Sequence, residues 1–196
     1  MLKAGANTDA IDSLDLAFAG RAYVSYADNL PQDVIGYVNV AGSSVDIVNA
    51  VTVGSKSIDN GYDDKVFDNY KGKLNVQLGT SNANGHLLTE IVVASGAVRA
   101  VRSPLSAQVV VEDGVLVTDS TTTELEIKAT GSSAVFVSAA KAAVNVNQLW
   151  LDASGPARIE FKAGTVAVQS RTRIAAGRGS STVSVLSSLL TTHILD

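Results

Sequence analysis

Leu125-Glu-Ile-Lys-Ala-Thr-Gly131, Leu149-Trp-Leu-Asp-Ala-Ser-Gly155 and Arg173-Ile-Ala-Ala-Gly-Arg-Gly179 end on glycines at positions 131, 155 and 179, so the same step occurs twice. A constant period of this size predicts a stack in which each turn of chain rests on the one before it. The agreement reaches beyond the glycine. Leu125, Ile127 and Ala129 map onto Leu149, Leu151 and Ala153, and Val135 and Val137 map onto Ile159 and Phe161. Alternate apolar residues mark a strand with one buried face, and the glycine falls where the strand must bend or where a side chain would clash at a corner. A further strand follows in each copy: Ala142, Val144 and Val146 return as Val166, Val168 and Ser170, then as Leu190, Thr192 and Ile194. Each 24-residue coil is therefore expected to hold about three short strands.

Looser copies lie upstream, in Val38-Asn-Val-Ala-Gly42-Ser-Ser-Val-Asp-Ile47 and in Ile91-Val-Val-Ala-Ser-Gly96-Ala-Val-Arg-Ala-Val101. Their irregular spacing requires insertions. A loop insertion is expected at about 55–73, where Asp59-Asn-Gly61, Asp63-Asp64 and Asp68-Asn69 supply turn residues and no apolar period can be read. A second turn is expected at Ser81–Gly85. The segment Thr8–Phe18 fits a helical face through Ile11, Leu14 and Phe18, but Leu14, Leu16 and Phe18 also alternate, and their neighbours favour a strand.

Composition agrees with an all-β chain. Its 196 residues are 46% hydrophobic, enough for one sizeable core in a single domain over 1–196. Sixteen glycines, three prolines and abundant Val, Ser, Thr and Ala favour many short strands. A net charge of −4 argues against nucleic acid as the main partner, because phosphate binding needs a concentrated positive field. Basic residues do gather late, at Arg158, Lys162, Arg171, Arg173 and Arg178, without the interleaved aromatics of a single-strand binder, so they read as a solvated outer face. The absence of cysteine excludes a disulfide framework and a thiolate metal site. No apolar run reaches the length of a membrane span, and Met1-Leu-Lys-Ala-Gly-Ala lacks the apolar core of a signal peptide, so an exported form would have shed its leader.

Leu14-Asp-Leu-Ala-Phe-Ala-Gly20 followed by Tyr23-Val-Ser-Tyr26, Gly72-Lys-Leu-Asn-Val-Gln-Leu78, and the Ala-Ser-Gly or Ala-Thr-Gly phrases at Gly96, Gly131 and Gly155 carry a family resemblance. From about Leu14 to Leu186 the chain resembles the autotransporter adhesin head (GIN) domain family. That resemblance implies a right-handed parallel β-helix-like solenoid, an extracytoplasmic, secreted or cell-surface location, and an adhesive or structural role. It implies no catalytic residue. The acidic Gly-Ser-Gly-Asp step of that family is replaced here by Gly131-Ser-Ser-Ala, Gly155-Pro-Ala-Arg and Gly179-Ser-Ser-Thr, so a function resting on a ladder of aspartates is not expected.

Among candidate site residues Trp150, the sole tryptophan, comes first, because inward Leu149, Leu151 and Ala153 turn its indole outward. An outward indole suits a sugar or a protein, unless the N-terminal segment or an insertion covers it. Lys128 and Asp152 are expected one coil apart on the same outer face, and Glu126 is expected to stack below Trp150. Neighbouring strands lie about 4.8 Å apart. These four residues form the candidate ligand-binding set; the plain alternative is a ladder salt bridge between Lys128 and Asp152, worth up to about 1 kcal/mol. An enzyme on the same scaffold, a polysaccharide lyase or hydrolase, would need a cleft with two carboxylates, for which Asp152 and Glu160 are the candidates.

Other signals are weaker. His86 and His193 lie far apart in the sequence, with no signal for shared coordination or catalysis. Asp59, Asp63 and Asp64 do not follow a calcium-loop spacing and read as turn formers. There is no Gly-x-Ser-x-Gly elbow, and Gly177-Arg-Gly179-Ser-Ser181 lacks the lysine of a phosphate loop. No cofactor or metal is expected. The functions that remain are a non-enzymatic surface module binding a polysaccharide, a matrix or a surface protein, the enzyme just described, and a structural module forming a homo-oligomer through its solenoid ends.

Overall fold

The computed structural model describes residues 1–4, 10–56, 72–79, 85–177 and 180–192. The chain is all-β, with its strands in one curled, mixed sheet. In order they are β1 (Leu2–Lys3), β2 (Ser13–Ala17), β3 (Ala19–Ala27), β4 (Val34–Gly42), the one-turn helix α1 (Val45–Asn49), β5 (Val51–Lys56), β6 (Lys73–Leu78), β7 (Leu87–Ala94), β8 (Ala100–Ser103), β9 (Ser106–Val111), β10 (Asp119–Ala129), β11 (Ala134–Ala153), β12 (Arg158–Ala176), β13 (Thr182–Leu186) and β14 (Leu189–Thr192).

Alternation of apolar residues dictates how these strands pair. Leu125, Ile127 and Ala129 sit opposite Leu149, Leu151 and Ala153 in a parallel ladder, as expected, and all six are fully buried. Val135 and Val137 likewise face Ile159 and Phe161. Three ladders result. The first runs β4-β7-β3-β9, then the first parts of β11 and β12, then β13. The third runs β5-β6-β2-β8, then the last parts of β10, β11 and β12. Between them a shorter second ladder joins the start of β10, the middle of β11 and β12, and β14, with an isolated bridge from Val98 to Leu116. Buried side chains of all three ladders form a single apolar cluster.

The glycine phrase marks the corner after the third ladder. Gly131 and Gly155 have φ of +66° and +73°, a region that L side chains rarely adopt. A Cβ on Gly155 would come 3.2 Å from the Gly131 carbonyl oxygen, and one on Gly131 would collide with the carbonyl of Leu105. Both strain and crowding therefore require glycine here. Gly179, the third of the series, lies outside the described residues.

Several expectations are corrected. The ladders are not uniformly parallel: β4 is antiparallel to β1 and β7, and β5 is antiparallel to β6. Val38–Ile47 is thus no copy of the repeat; it is an antiparallel strand running into α1, whose Ser44 cap accepts a hydrogen bond from the Ile47 amide. Ile91–Val101 runs from the end of first-ladder β7 into the start of third-ladder β8, with Gly96 N–H donating to the Gly114 carbonyl, and the corner beneath Gly131 is built by Pro104 and Leu105 instead. Nor do the strands lie in chain order, because β6 and β7 lie outside β2 and β3.

The offset between coils is also not constant. Ala139 pairs with Ala163, but Val144 pairs with Val166 and Val146 with Val168, short of the expected match, because Ala140–Ala142 bulge opposite Gly164. Asn147 then faces two residues, so Leu149 pairs with Thr172 and Trp150 with Arg173. That small difference from the expected map keeps Arg173 out of the core line and sets it beside Trp150. Val166 and Val168 do pair with Leu190 and Thr192 as expected, while Ile194 lies outside the described residues. The insertion expected at 55–73 falls mostly on residues outside those described; its flanks, through Lys56 and from Lys73, are paired strand. Within the segment Thr8–Phe18, of which residues 10–18 are described, the strand β2 forms at Ser13–Ala17, and Leu14, Leu16 and Phe18 are fully buried.

Candidate functional site

Alternation along the third ladder turns one set of side chains outward. Two neighbouring rows cross its strands in register. One holds Asn75, Asp15, Arg102, Lys128, Asp152 and Ala175, and the other holds Ala100, Glu126, Trp150 and Arg173. The four expected ligand-binding residues are therefore together: Lys128 sits opposite Asp152, and Glu126 opposite Trp150.

Their surroundings differ from a bare exposed patch. Trp150 is half-buried, and its Nε1–H donates to Gln148 Oε1 at 3.1 Å. The guanidinium carbons of Arg171 and Arg173 stand 5.8 and 5.4 Å from the ring centroid. The described residues that cap the indole thus include two arginines of the next strand; each contact is worth about 0.5–1 kcal/mol at a partly exposed site. Glu126 is buried and accepts from Arg102 Nη2 at 2.8 Å and Nε at 3.1 Å, a two-pronged pair in which both nitrogens converge on one carboxylate oxygen. Asp152 is approached by Arg173 at 3.7 Å. Lys73 and Asp15 meet at 2.7 Å in the same field of charges. A small hollow of about 320 Å³ opens beside Asp15, Arg102 and Lys128.

Glu124, just before this row on β10, has its carboxyl raised above the ordinary range, chiefly by burial, with Arg99 opposing and the Glu126 carboxylate adding to the rise. Tyr23, on the first ladder, is also raised, mainly because its hydroxyl donates to the Glu112 carboxylate. Of the other enzyme candidates, Glu160 is bound to Arg158 at 2.8 Å, and Arg158 also lies 5.6 Å from the Phe136 ring centroid. Glu160 belongs to the first ladder and Asp152 to the third, so the pair is not brought together on one outer row. His86 lies at the rim of a groove on the first ladder. His193, Arg178, Asp59, Asp63 and Asp64 lie outside the described residues.

Sequence reasoning missed Arg102, Arg171 and Arg173 as neighbours of the set. Arg102 was hidden because β8 and β10 pair with a longer offset than the repeat, which sets it opposite Lys128. The Arg173 placement follows from the bulges that shift β12 against β11. Asp12 was also missed: this buried carboxylate accepts from Gly72 N–H at 3.1 Å and from Arg99 Nε at 3.1 Å, tying β2 to its neighbours.

Among the described residues no helix is long and apolar enough to cross a membrane, which leaves strands untested as spans, and no group of three or more His, Cys, Asp or Glu is placed to hold a metal ion. Comparison of the chain with family models, curated proteins and solved structures finds no match.

Proposed function

We propose that the chain is a non-enzymatic, secreted or cell-surface module that adheres to a glycan, a matrix or a protein partner through the outer rows of a right-handed, β-helix-like stack. The observation that carries this reading is the third-ladder face, where half-buried Trp150 is flanked by Arg171 and Arg173 and the nearby carboxylates are held in ion pairs. A carboxylate already engaged by a guanidinium presents a fixed, charge-balanced pair to a partner surface. An aromatic face rimmed by charged groups suits hydroxyl-rich or mixed polar surfaces. The resemblance to the GIN domain family points the same way.

The test is retention of the purified chain on insoluble and soluble cell-wall polysaccharides, with reducing ends and unsaturated products assayed in the same tubes. Retention without product, reduced about tenfold by Trp150→Ala, is the expected result. Product formation, abolished by Asp152→Asn, would replace this reading with a polysaccharide lyase or hydrolase.

A structural, self-assembling module is the second reading, favoured by one feature. Within the described residues β13 and β14 pair on one side only, with β12, and Leu186, Leu189 and Leu190 are 51%, 58% and 46% exposed. Unpaired parallel edges of this kind can stack on another copy. Sedimentation velocity decides between the readings: association that rises with concentration and is abolished by Val185→Lys supports self-assembly.

A further inference from the structure

The first ladder carries a second hollow, larger than the one beside Lys128. It is a groove of about 800 Å³, formed where β3, β7 and β9 emerge from their corners. Ala41, Leu88, Arg21 and Gln108 follow one another across four strands in register and run along it. Gly42 and Gly85 contribute no side chains to fill the space. The rim is fixed by a reciprocal pair of bonds: Ser43 N–H donates to the His86 carbonyl at 3.0 Å, and His86 N–H donates to Ser43 Oγ at 3.0 Å.

Among the described residues that line this groove, the one formal charge is that of Arg21. Arg99, Arg102, Arg158 and Arg173 all have carboxylate partners. Arg21 forms no ion pair with a described residue, and the groove lining contains neither Asp nor Glu among the described residues. A guanidinium with no such partner, set in a concave site, presents a planar fork that matches a carboxylate through two parallel N–H···O bonds. Ser43, Gln108 and the His86 ring add groups suited to hydroxyls, and Leu88 adds an apolar wall that is 39% exposed. Farther along the same face of β3, about 7 Å down the strand, stands Tyr23, 41% exposed and oriented by its bond to Glu112. An aromatic ring at that distance offers its face to the apolar side of a sugar ring next to one whose carboxylate is held by Arg21.

We infer that this groove binds an acidic sugar residue within a polysaccharide, with Arg21 pairing its carboxylate and Tyr23 contacting the neighbouring sugar. This rests on the glycan branch of the adhesive reading, but it places the ligand on the first ladder, away from Trp150.

The experiment measures binding of the full chain to polygalacturonate and alginate, and to the methyl esters of both, which keep the polymer and remove the charge. Wild type should bind each free acid at least about tenfold more tightly than its ester, with affinity falling as salt rises. Arg21→Gln should erase that preference without moving the melting temperature, and Arg21→Lys should restore part of it. Equal binding of acid and ester, or a preference unchanged in Arg21→Gln, overturns the inference. Binding lost in Trp150→Ala but intact in Arg21→Gln also overturns it and leaves the adhesive reading standing on the third ladder. Retention by none of the acidic polymers overturns it as well; the adhesive reading then fails too if the neutral polysaccharides and protein partners are also refused.

Discussion

The two edges of the sheet are finished in opposite ways. At one end antiparallel β4 and β5 lie over β7 and β6, α1 packs beside them, and the strands beneath bury Leu14, Leu16, Leu74 and Ile91 completely. At the other, β13 and β14 have one described neighbour, and Val183 and Val185 are only half-buried. A strand inside the sheet is covered by a neighbour on either side of it, and an edge strand by one only. Reversed strands at the first end remove the parallel template that another chain would copy, and the second end still presents one.

Substitutions at matched depths should expose this asymmetry. Leu14→Ala, in the covered half, is expected to cost about 4 kcal/mol, because a fully enclosed side chain leaves a cavity its neighbours cannot fill. Urea unfolding monitored by Trp150 fluorescence would measure it. Asp12→Asn removes the charge that answers Arg99 at the same end and should cost roughly 3 kcal/mol in the same assay. Val185→Ala, at the open end, should cost only about 1 kcal/mol, since part of that side chain is already in water. Hydrogen exchange would sharpen the contrast: amides of β13 and β14 should exchange faster than those of β2 and β3, and equal protection would contradict the comparison.

Two smaller effects follow. Thr89 is fully buried in β7 with no hydrogen-bond partner for its hydroxyl among the described residues, so Thr89→Val should raise stability by about 1 kcal/mol. Glu124 lies on β10, inside the sheet, where its raised carboxyl makes the folded chain hold a proton that the unfolded chain gives up. Its contribution is complete below the ordinary carboxylate range and is lost as pH rises through the folded value. Melting temperatures of Glu124→Gln should therefore fall less than wild type between about pH 4 and about pH 7.

The half built on the repeat was legible because alternation and the glycine corner are local signals. Leu125, Ile127 and Ala129 announce both their buried face and their partners one coil later. The same was true of the outer set, since Lys128 opposite Asp152 follows from the same offset. The covered end was not legible. Nothing local distinguishes a parallel from an antiparallel neighbour for Val38 and Val40, whose partners come from β7, a long way down the chain. Thr172 shows the other limit. Its hydroxyl is buried and unpaired among the described residues, opposite Leu149, a placement fixed by bulges in β11 and β12 that no residue type at position 172 foretells. Arg21 was overlooked for a different reason: a cation in a strand of ordinary alternation stands out only once the groove lining it shares proves to hold no carboxylate among the described residues.

The bulge of Ala140–Ala142 opposite Gly164 carries a consequence for how such a chain can change. The offset between β11 and β12 shortens at this bulge, recovers in part at the next, and regains the value of the repeat between β12 and β13, while the inward lines of Val, Leu and Phe stay aligned. Length is absorbed at the bends and does not accumulate. Small insertions and deletions at those bends are therefore tolerable wherever the inward lines survive. Residue count and spacing could therefore change at these bends while the strands on either side kept their facing partners.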